Sequence, residues 1–170
     1  EIGWAKSSNV APSQYARLAR GREVAGAEPE RVAQVMEAYE KHKLSAGVVD
    51  FNDILLCAAA LLAERPAAAE QIRTAYRHFV VDEYQDVSAI QHRLVSLWVD
   101  GRPDICVVGD PQQAIHGFAG ARADCLTGFA SEHPGARQVR LVRNYRSSPG
   151  IVQLANRIVR RRPSAGDLYP

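Results

Sequence analysis

Residues 79–86 read Phe-Val-Val-Asp-Glu-Tyr-Gln-Asp, a short apolar run that ends at two adjacent carboxylates. A brief apolar run bounded by polar residues is typical of a buried strand in a parallel sheet. A helix is predicted directly after it, because Ser88 and Gln91 have the spacing of a capping box. Ligands of open α/β sheets bind beyond the carboxyl ends of the strands. We therefore expect Asp82 and Glu83 to lie at a ligand-binding site.

Two further apolar runs are also followed by polar clusters. Residues 105–108 form the second predicted strand, which ends at Gly-Asp-Pro-Gln-Gln over residues 109–113. The third predicted strand, residues 138–142, ends at Arg-Asn-Tyr-Arg over residues 143–146. Strands that alternate with helices of ten or more residues indicate an α/β fold with a parallel sheet and helices on both faces. The three strand ends would then place the polar clusters on one rim of the sheet.

The N-terminal part of the chain has a different pattern. Residues 1–48 are predicted to be helical and polar, with one helix that begins at Pro29. Apolar side chains recur at helical spacing along that helix, and one face of it carries Val32, Val35, Met36 and Tyr39. Asp50 is predicted to cap the next helix, with Asp53 in its first turn. The pattern therefore changes at Asp50.

Composition excludes several classes of protein. Of the 170 residues, 46% are hydrophobic and 24% charged, which is typical of a soluble globular protein rather than a disordered one. No apolar stretch approaches the roughly 18 to 20 residues of a membrane span. The cysteines form no Cys-x-x-Cys pair, so neither a disulfide framework nor a zinc site is predicted. The first residues contain neither an initiator Met nor a secretion signal, so we expect an excised or processed piece.

The net charge of +2 conceals an uneven distribution of charge. Residues 137–162 contain eight arginines and no acidic residue, whereas residues 51–136 contain eleven acidic residues and six Lys or Arg. Such a basic run is either a solvated face or a surface that binds the phosphates of a nucleotide or a nucleic acid. Charge alone leaves both interpretations open.

The adjacent carboxylates of Asp82 and Glu83 suit one kind of chemistry. A carboxylate at a strand end can hold Mg²⁺, usually through retained water molecules. A neighbouring carboxylate can orient and deprotonate the water that attacks a γ-phosphate. Two acidic residues alone would also fit an ordinary loop. The complete run Val-Val-Asp-Glu-Tyr-Gln-Asp before a capped helix favours nucleotide hydrolysis instead.

Four segments resemble motifs of one helicase family. Residues 80–86 resemble motif II of the UvrD/PcrA/Rep helicases, a branch of superfamily 1, and residues 107–121 resemble motif III. Residues 141–147 are similar to motif IV, and residues 50–55 to the segment that returns the chain to the ATPase core. The segments follow the order and spacing of the family. This resemblance covers essentially the whole chain and implies a partial RecA-like fold, with ATP and Mg²⁺ as cofactors.

The resemblance implies a role for each matching residue. Asp82 would bind Mg²⁺, and Glu83 would be the general base. Gln113 would sense the γ-phosphate and couple it to DNA. Arg146 would stabilise charge on that phosphate, and Tyr145 would stack on the nucleotide base. These side chains suit the roles, because an arginine offers paired donors to phosphate and a tyrosine ring offers a flat stacking surface.

Motif III also implies contact with single-stranded DNA through His116 and Phe118. The sequence departs from the family here, because His116 stands where Tyr is usual and Ala119 where Arg is frequent. Phe118 keeps the aromatic character of the motif. A histidine ring stacks more weakly and Ala119 removes a cationic contact, so this loop is expected to hold DNA less firmly.

The resemblance also implies a division of the chain. Residues 1–48 would be the end of a helical insertion subdomain, and residues 49–142 the latter part of a first RecA-like ATPase domain. Residues 143–170 would be the crossover into a second RecA-like domain. A phosphate-binding Gly-x-x-x-x-Gly-Lys-Ser/Thr loop is missing from these 170 residues. We therefore expect this polypeptide alone to be unable to hydrolyse ATP.

Three functions are compatible with these features. The resemblance favours a fragment of an ATP-dependent DNA helicase that moves on single-stranded DNA, unwinds duplex DNA and acts in DNA repair, with repair proteins as further partners. Such an enzyme would work in the bacterial cytoplasm at the nucleoid, without a membrane. A module that binds DNA or a protein partner without catalysis is the first alternative. The helicase subunit of a recombination helicase–nuclease is the second.

Overall fold

The computed structural model describes residues 1–19, 21–22, 24 and 26–159. The chain divides into two compact units, Glu1–Phe129 and Ala130–Pro170, which we call the first and second units. The helices are α1 (Ile2–Ser7), α2 (Pro12–Leu18), α3 (Pro29–Ala46), α4 (Phe51–Glu64), α5 (Pro66–Ala75), α6 (Ala89–Val99), α7 (Ala123–Thr127), α8 (Phe129–Glu132) and α9 (Pro149–Val159). The strands are β1 (Phe79–Val81) and β2 (Ile105–Val107), and short 3-10 turns occupy Tyr84–Asp86, Pro111–Gln113 and Gly117–Ala119.

The length and composition of the described helices bear on membrane insertion. Within the described part of the chain, no single helix is both long enough and apolar enough to cross a membrane. The helices α3 and α4 reach that length and composition only as a pair, which is bent by 80°.

The N-terminal helices pack around a small apolar core, and this confirms the helical prediction for residues 1–48. The core consists of six buried side chains, Ala5, Val10, Tyr15, Ala19, Val32 and Met36. Trp4 closes one edge of it, with its ring 6.4 Å from that of Tyr15 in an edge-to-face arrangement. On the predicted apolar face of α3, Val32 and Met36 are buried and Val35 is 49% exposed. A helix this close to the surface buries only a narrow stripe of side chains.

Two predicted helix starts are confirmed. In α4, Asp50 Oδ1 accepts a hydrogen bond from Asp53 N at 2.9 Å, and Asp53 Oδ2 accepts one from Asp50 N at 2.8 Å. In α6, Gln91 Oε1 accepts from Ser88 N at 2.8 Å, and Ser88 Oγ accepts from Gln91 N at 3.4 Å. Both pairs satisfy backbone donors that a helix N-terminus leaves without intrahelical partners.

The sheet has two parallel strands, one over residues 79–81 as predicted and one over residues 105–107, one residue shorter than the predicted strand 105–108. Phe79 pairs with Ile105, Val80 with Cys106, and Val81 with Val107, and α6 lies between the strands in sequence. One face is covered by α6, whose Trp98 ring lies 5.7 Å from that of Phe79. The opposite face is open in the described structure, because Val80 is 77% exposed and Cys106 is exposed as well. The prediction of helices on both faces is therefore confirmed on one face only.

The third predicted strand, residues 138–142, does not form in the structure. This segment is irregular, with Val139 67% exposed and Leu141 82% exposed. A strand needs a neighbouring strand for its backbone hydrogen bonds, and the described part of the second unit contains none. The helix predicted after it is confirmed as α9, where Val152 is buried.

Two buried lysines and three partly exposed carboxylates from α1, α3 and the start of α4 form an ion-pair group, the lysine–carboxylate cluster (Lys6, Glu40, Lys43, Asp50 and Asp53). Lys6 Nζ lies 3.0 Å from Glu40 and 2.6 Å from Asp50, and it also contacts Asp53. Lys43 Nζ lies 2.8 Å, 3.1 Å and 2.6 Å from the same three carboxylates. Both lysine side chains are only 7% exposed. The cluster therefore joins three segments that are distant in sequence.

Folding shifts the pKa values of this cluster in opposite directions. Burial by itself raises the pKa of the Asp50 carboxyl, but the hydrogen bond from Lys6 and the other donors outweigh burial and hold that pKa well below its usual range. The pKa of Asp53 is also lowered, because its hydrogen bonds with Lys43 and Lys6 outweigh the effect of burial. Burial by itself lowers the pKa of Lys43, but hydrogen bonds to Asp53 and Glu40 raise it well above its usual range.

These shifts predict how the contribution of the cluster to stability depends on pH. A lowered carboxyl pKa stabilises the fold above the unfolded value of about 4, and that contribution is lost as the pH falls towards the folded value. A raised lysine pKa stabilises the fold below the unfolded value of about 10.4, and that contribution is lost as the pH rises above it. The contribution should be level between about pH 5 and pH 9 and should decline below about pH 4. Urea unfolding of the wild-type chain and of Lys43→Met, from about pH 9 down to about pH 2, measures this contribution as the difference between their free energies of unfolding. A difference that stays unchanged down to about pH 2 would contradict the lowered pKa values of the carboxylates.

Candidate active site at the strand ends

The backbone joins the two loops that follow the strands. Val108 N donates to Val81 O at 2.8 Å, and Tyr84 N donates to Val108 O at 2.9 Å. These bonds continue the pairing of β1 and β2 beyond the last residues of the strands. The two polar clusters that follow the strands in sequence therefore lie side by side at the carboxyl edge of the sheet, as expected.

Glu83 occupies an unusual backbone conformation at this edge. Its φ and ψ angles are 51° and 41°, in the left-handed region that residues other than glycine rarely adopt. Glu83 N donates to the Asp82 Oδ1 carboxylate oxygen at 2.9 Å, and both side chains are exposed. Such a conformation costs about 1 kcal/mol or more and is concentrated at functional sites.

The next residue, Tyr84, anchors the loop to the core. Tyr84 is 1% exposed, and its hydroxyl oxygen lies 2.9 Å from His92 Nδ1 in a hydrogen bond. Its ring packs edge-to-face against Phe129 at 5.9 Å. Burial of this large side chain holds the backbone of Glu83 in place, since movement of the loop would expose the ring.

Gln85 is the site residue that the sequence did not single out. It is 1% exposed, and its Nε2 donates to Glu83 Oε2 at 2.6 Å. Its Oε1 accepts a hydrogen bond from Asp110 N at 2.9 Å. Gln85 lies within the acidic run, in which the sequence predicts roles only for Asp82 and Glu83. The sequence signal for such a role is a side-chain amide next to carboxylates, because an amide can both donate and accept hydrogen bonds.

Gly109 makes this contact sterically acceptable. A Cβ atom at this position would overlap with Gln85 Oε1 and would lie 2.9 Å from Leu126 Cδ2. It would also lie 3.1 Å from the backbone nitrogen of Tyr84. The close approach of the two loops therefore requires glycine at the end of the second strand.

Gln113 lies in the loop after β2, in contact with Asp110. Asp110 Oδ1 accepts from Gln112 N at 2.9 Å, which caps the 3-10 turn, and Asp110 Oδ2 accepts from Gln113 Nε2 at 2.9 Å. Gln113 itself is exposed. The structure thus brings Asp82, Glu83 and Gln113 to the same edge of the sheet, and their chemical roles stay predictions.

An open depression of about 380 Å³ borders the carboxylates. Val81, Asp82, Glu83 and Asp86 line one side of it, and residues of α6 line the other. Asp86 Oδ1 is buried and has no hydrogen-bond partner among the described residues. A buried carboxylate oxygen without a donor is costly, so water or a cation is the expected partner of this atom.

The aromatic residues predicted to contact DNA lie in and beside the 3-10 turn Gly117–Ala119. The rings of His116 and Phe118 are 6.0 Å apart and inclined at 51°, and Phe118 is 72% exposed. Ala119 O accepts a hydrogen bond from Ser7 Oγ of α1 at 2.8 Å. The turn is therefore attached to the N-terminal helices while its two rings face outward from the core.

Tyr145 and Arg146 lie in the second unit. Tyr145 is 86% exposed, and the Arg143 guanidinium carbon lies 5.5 Å from the centre of its ring. Asn144 Oδ1 accepts from Arg146 N at 3.0 Å and from Ser147 N at 2.8 Å, so the asparagine side chain shapes this turn. The predicted position of residues 143–146 on the same rim as Asp82 and Glu83 stays a prediction.

Comparison with known protein families agrees with the motifs. Residues 2–134 match the family model described as the UvrD/REP helicase N-terminal domain. The chain belongs to the UvrD/REP helicase family. The match includes both strands and all the candidate residues of the first unit.

Several curated members of the UvrD/REP family are similar to this chain. The ATP-dependent DNA helicase UvrD2 of Mycobacterium tuberculosis is 42% identical over 163 residues, which are 94% of this chain and 23% of UvrD2. UvrD1 of the same species is 36% identical over 137 residues, 76% of this chain and 18% of UvrD1. DNA helicase II of Salmonella typhimurium is 35% identical over 126 residues, 74% of this chain and 18% of that protein. The chain thus spans less than a quarter of the length of these relatives.

The carboxylates at the strand ends suit the Mg²⁺ that the sequence motifs imply. Asp82 is exposed, and the unpartnered Asp86 Oδ1 borders the same depression. Mg²⁺ is usually held through one or two carboxylates while it keeps several water molecules. Glu40, Asp50 and Asp53 also lie close enough together to hold a cation, but each of them already pairs with both Lys6 and Lys43. The strand-end carboxylates are the better candidates.

Proposed function

We propose that this chain is part of an ATP-dependent DNA helicase that couples ATP hydrolysis to movement on single-stranded DNA and to duplex unwinding in DNA repair. The observation that carries this proposal is the adjacent pair Asp82 and Glu83 beyond β1, with Glu83 linked by hydrogen bonds to the loop of Gln113. The family of the chain and the name of its relative UvrD2, ATP-dependent DNA helicase, support it.

In this proposal the residues of the first unit perform the hydrolytic step. Asp82 would hold Mg²⁺, which when bound neutralises charge on the phosphates. The Glu83 carboxylate would orient the attacking water and accept its proton. Gln113 would donate a hydrogen bond from its side-chain amide to the γ-phosphate. Loss of the γ-phosphate would then alter the loop that carries His116 and Phe118.

The second unit would supply the remaining contacts to ATP. Arg146 would place its guanidinium group against the γ-phosphate and stabilise the charge that develops there, because a planar fork of donors matches phosphate oxygens. Tyr145 would stack on the nucleotide base, and its exposed ring supports this assignment. Residues 143–170 would then begin a second RecA-like domain, after a first RecA-like domain over residues 49–142 and an insertion over residues 1–48.

Single-stranded DNA would be held in part by the exposed rings of His116 and Phe118. Stacking of a base on an aromatic side chain is worth about 1 to 3 kcal/mol and tolerates any base. Ala119 offers no charge to the DNA backbone. We propose that the enzyme works in the bacterial cytoplasm at the nucleoid, where repair proteins are its further partners.

ATP hydrolysis by the full-length protein tests the proposal. We expect the hydrolysis rate to depend on Mg²⁺ and to increase about tenfold or more when single-stranded DNA is added. A charge-stabilising residue that a conformational step brings into place changes hydrolysis rates by at least that factor. The 170-residue chain alone should show no hydrolysis above background, because it contains no phosphate-binding Gly-Lys-Ser/Thr loop. DNA binding without ATP hydrolysis by the full-length protein would favour a non-catalytic module. If the 170-residue chain alone hydrolysed ATP and lost this activity on Glu83→Gln, the inference that it lacks an essential part of the active site would be refuted.

A further inference from the structure

We propose that Gln85 is a positioning residue that orients the Glu83 carboxylate and connects it to the loop carrying Gln113. This inference rests on the proposed function, because it assigns a purpose to contacts of the proposed general base. The side chain of Gln85 lies beneath the loop, is 1% exposed, and therefore reaches Glu83 from the protein interior.

The contacts of Gln85 use both ends of its amide. Its nitrogen donates to one oxygen of Glu83, Oε2, at 2.6 Å, and its oxygen accepts from the backbone of Asp110 at 2.9 Å. A carboxylate could not donate the first bond, and a lysine could not accept the second. The site thus requires a group that donates on one side and accepts on the other.

The contact with Glu83 has a direct chemical consequence. Glu83 is exposed, and an exposed glutamate side chain samples several rotamers in water. A general base must hold its oxygen within hydrogen-bond reach of the attacking water. Because Gln85 occupies Oε2, it fixes the direction of the carboxylate and leaves Oε1 for the water. Gln85 therefore acts through Glu83 and does not itself touch the nucleotide.

The second contact extends the connection to the next strand. A series of hydrogen bonds connects Gln113 to Glu83. Gln113 donates to Asp110 Oδ2 at 2.9 Å, the Asp110 backbone nitrogen donates to Gln85 at 2.9 Å, and Gln85 donates to Glu83 at 2.6 Å. Gly109 lets the two loops approach closely along this path, because a Cβ atom there would overlap with Gln85 Oε1. Rearrangement of Gln113 would therefore be transmitted to the orientation of the general base.

The variant Gln85→Glu tests the inference in the full-length protein. It keeps the size of the side chain and the acceptor for Asp110, but it replaces the donor to Glu83 by a second negative charge. We expect kcat for ATP to fall about 10-fold to 100-fold, because a general base contributes about 10²-fold or more and this variant only misplaces it. The dissociation constant of a fluorescent ATP analogue should stay within about threefold, since Gln85 does not contact ATP.

Gln71→Glu is the matched control for the added charge. Gln71 is exposed on α5, outside the depression that borders Asp82 and Glu83. We expect kcat within about twofold of the wild type, because surface changes away from catalytic contacts have small effects. A loss of the same size in Gln71→Glu and Gln85→Glu would overturn the positioning role, because charge alone would then explain it.

A second measurement separates a direct contact from a general effect on folding. The double variant Glu83→Gln/Gln85→Glu exchanges the amide and the carboxylate, which restores one donor and one acceptor across the same contact. We expect it to regain the thermal stability that Gln85→Glu loses while it stays inactive. Failure of the exchange to restore Tm, or wild-type kcat in Gln85→Glu, would overturn the inference. Wild-type hydrolysis in Glu83→Gln alone would instead overturn the proposed function.

Discussion

Replacement of Glu83 by glutamine in the full-length protein is expected to reduce the rate of ATP hydrolysis by about 10²-fold to 10⁴-fold, the usual contribution of a general base. The amide keeps the size of the side chain but cannot accept a proton from water. ATP binding should be preserved, because the proposed binding contacts come from Asp82 through Mg²⁺, from Tyr145 and from Arg146. The expected result is therefore an enzyme that binds ATP and DNA but does not turn over.

Single-turnover hydrolysis and the binding of a fluorescent ATP analogue measure the two effects separately. Glu64→Gln is the matched control, because Glu64 is an exposed residue at the end of α4 and the chemical change is the same. Its rate should stay within about twofold of the wild type. Normal hydrolysis in Glu83→Gln would remove Glu83 from the role of general base. A parallel loss of ATP binding would indicate that the loop had rearranged.

The second large effect is expected in stability. Lys43→Met should lower the free energy of unfolding by about 3 kcal/mol, at the low end for a broken buried ion pair. Lys43 is 7% exposed and contacts three carboxylates, so its removal leaves them with the single charge of Lys6. Methionine fills a similar volume, so the loss reflects charge more than packing. The carboxylates are partly exposed, which limits the penalty, since Asp50 and Asp53 are 22% and 17% exposed.

Equilibrium urea unfolding of the 170-residue chain, followed by tryptophan fluorescence, measures this difference. Lys41→Met is the control, because Lys41 is exposed on the same helix and the substitution is identical. It should change the free energy of unfolding by no more than about 0.5 kcal/mol. A loss below about 1 kcal/mol for Lys43→Met would show that the cluster behaves as a surface ion pair.

The elements recovered from the sequence are those encoded within a few neighbouring residues. The apolar run before Asp82 predicted β1, and the spacing of Ser88 and Gln91 predicted the start of α6. Asp50 predicted the start of α4 for the same reason. Caps and hydrophobic periods involve partners three or four residues apart, so they can be recognised without a fold.

The failed predictions concern features that need a partner distant in sequence. Residues 138–142 have the composition of a strand, but in the described structure they have no neighbouring strand. Val80 reads as a buried residue, but it is 77% exposed because no described helix covers that face of the sheet. Composition shows that a residue can be buried, whereas burial itself depends on what packs against it.

The run from Asp82 to Asp86 shows where the sequence sufficed and where it did not. The sequence alone determined that two carboxylates follow a buried strand, because an apolar run and its polar end are local features. Only the tertiary structure decided that Gln85, the residue without an assigned role, joins Glu83 to Asp110, which lies 25 residues after it. The physical reason is that parallel pairing of β1 and β2 brings their carboxyl ends together, and a buried amide at that edge must find both a donor and an acceptor.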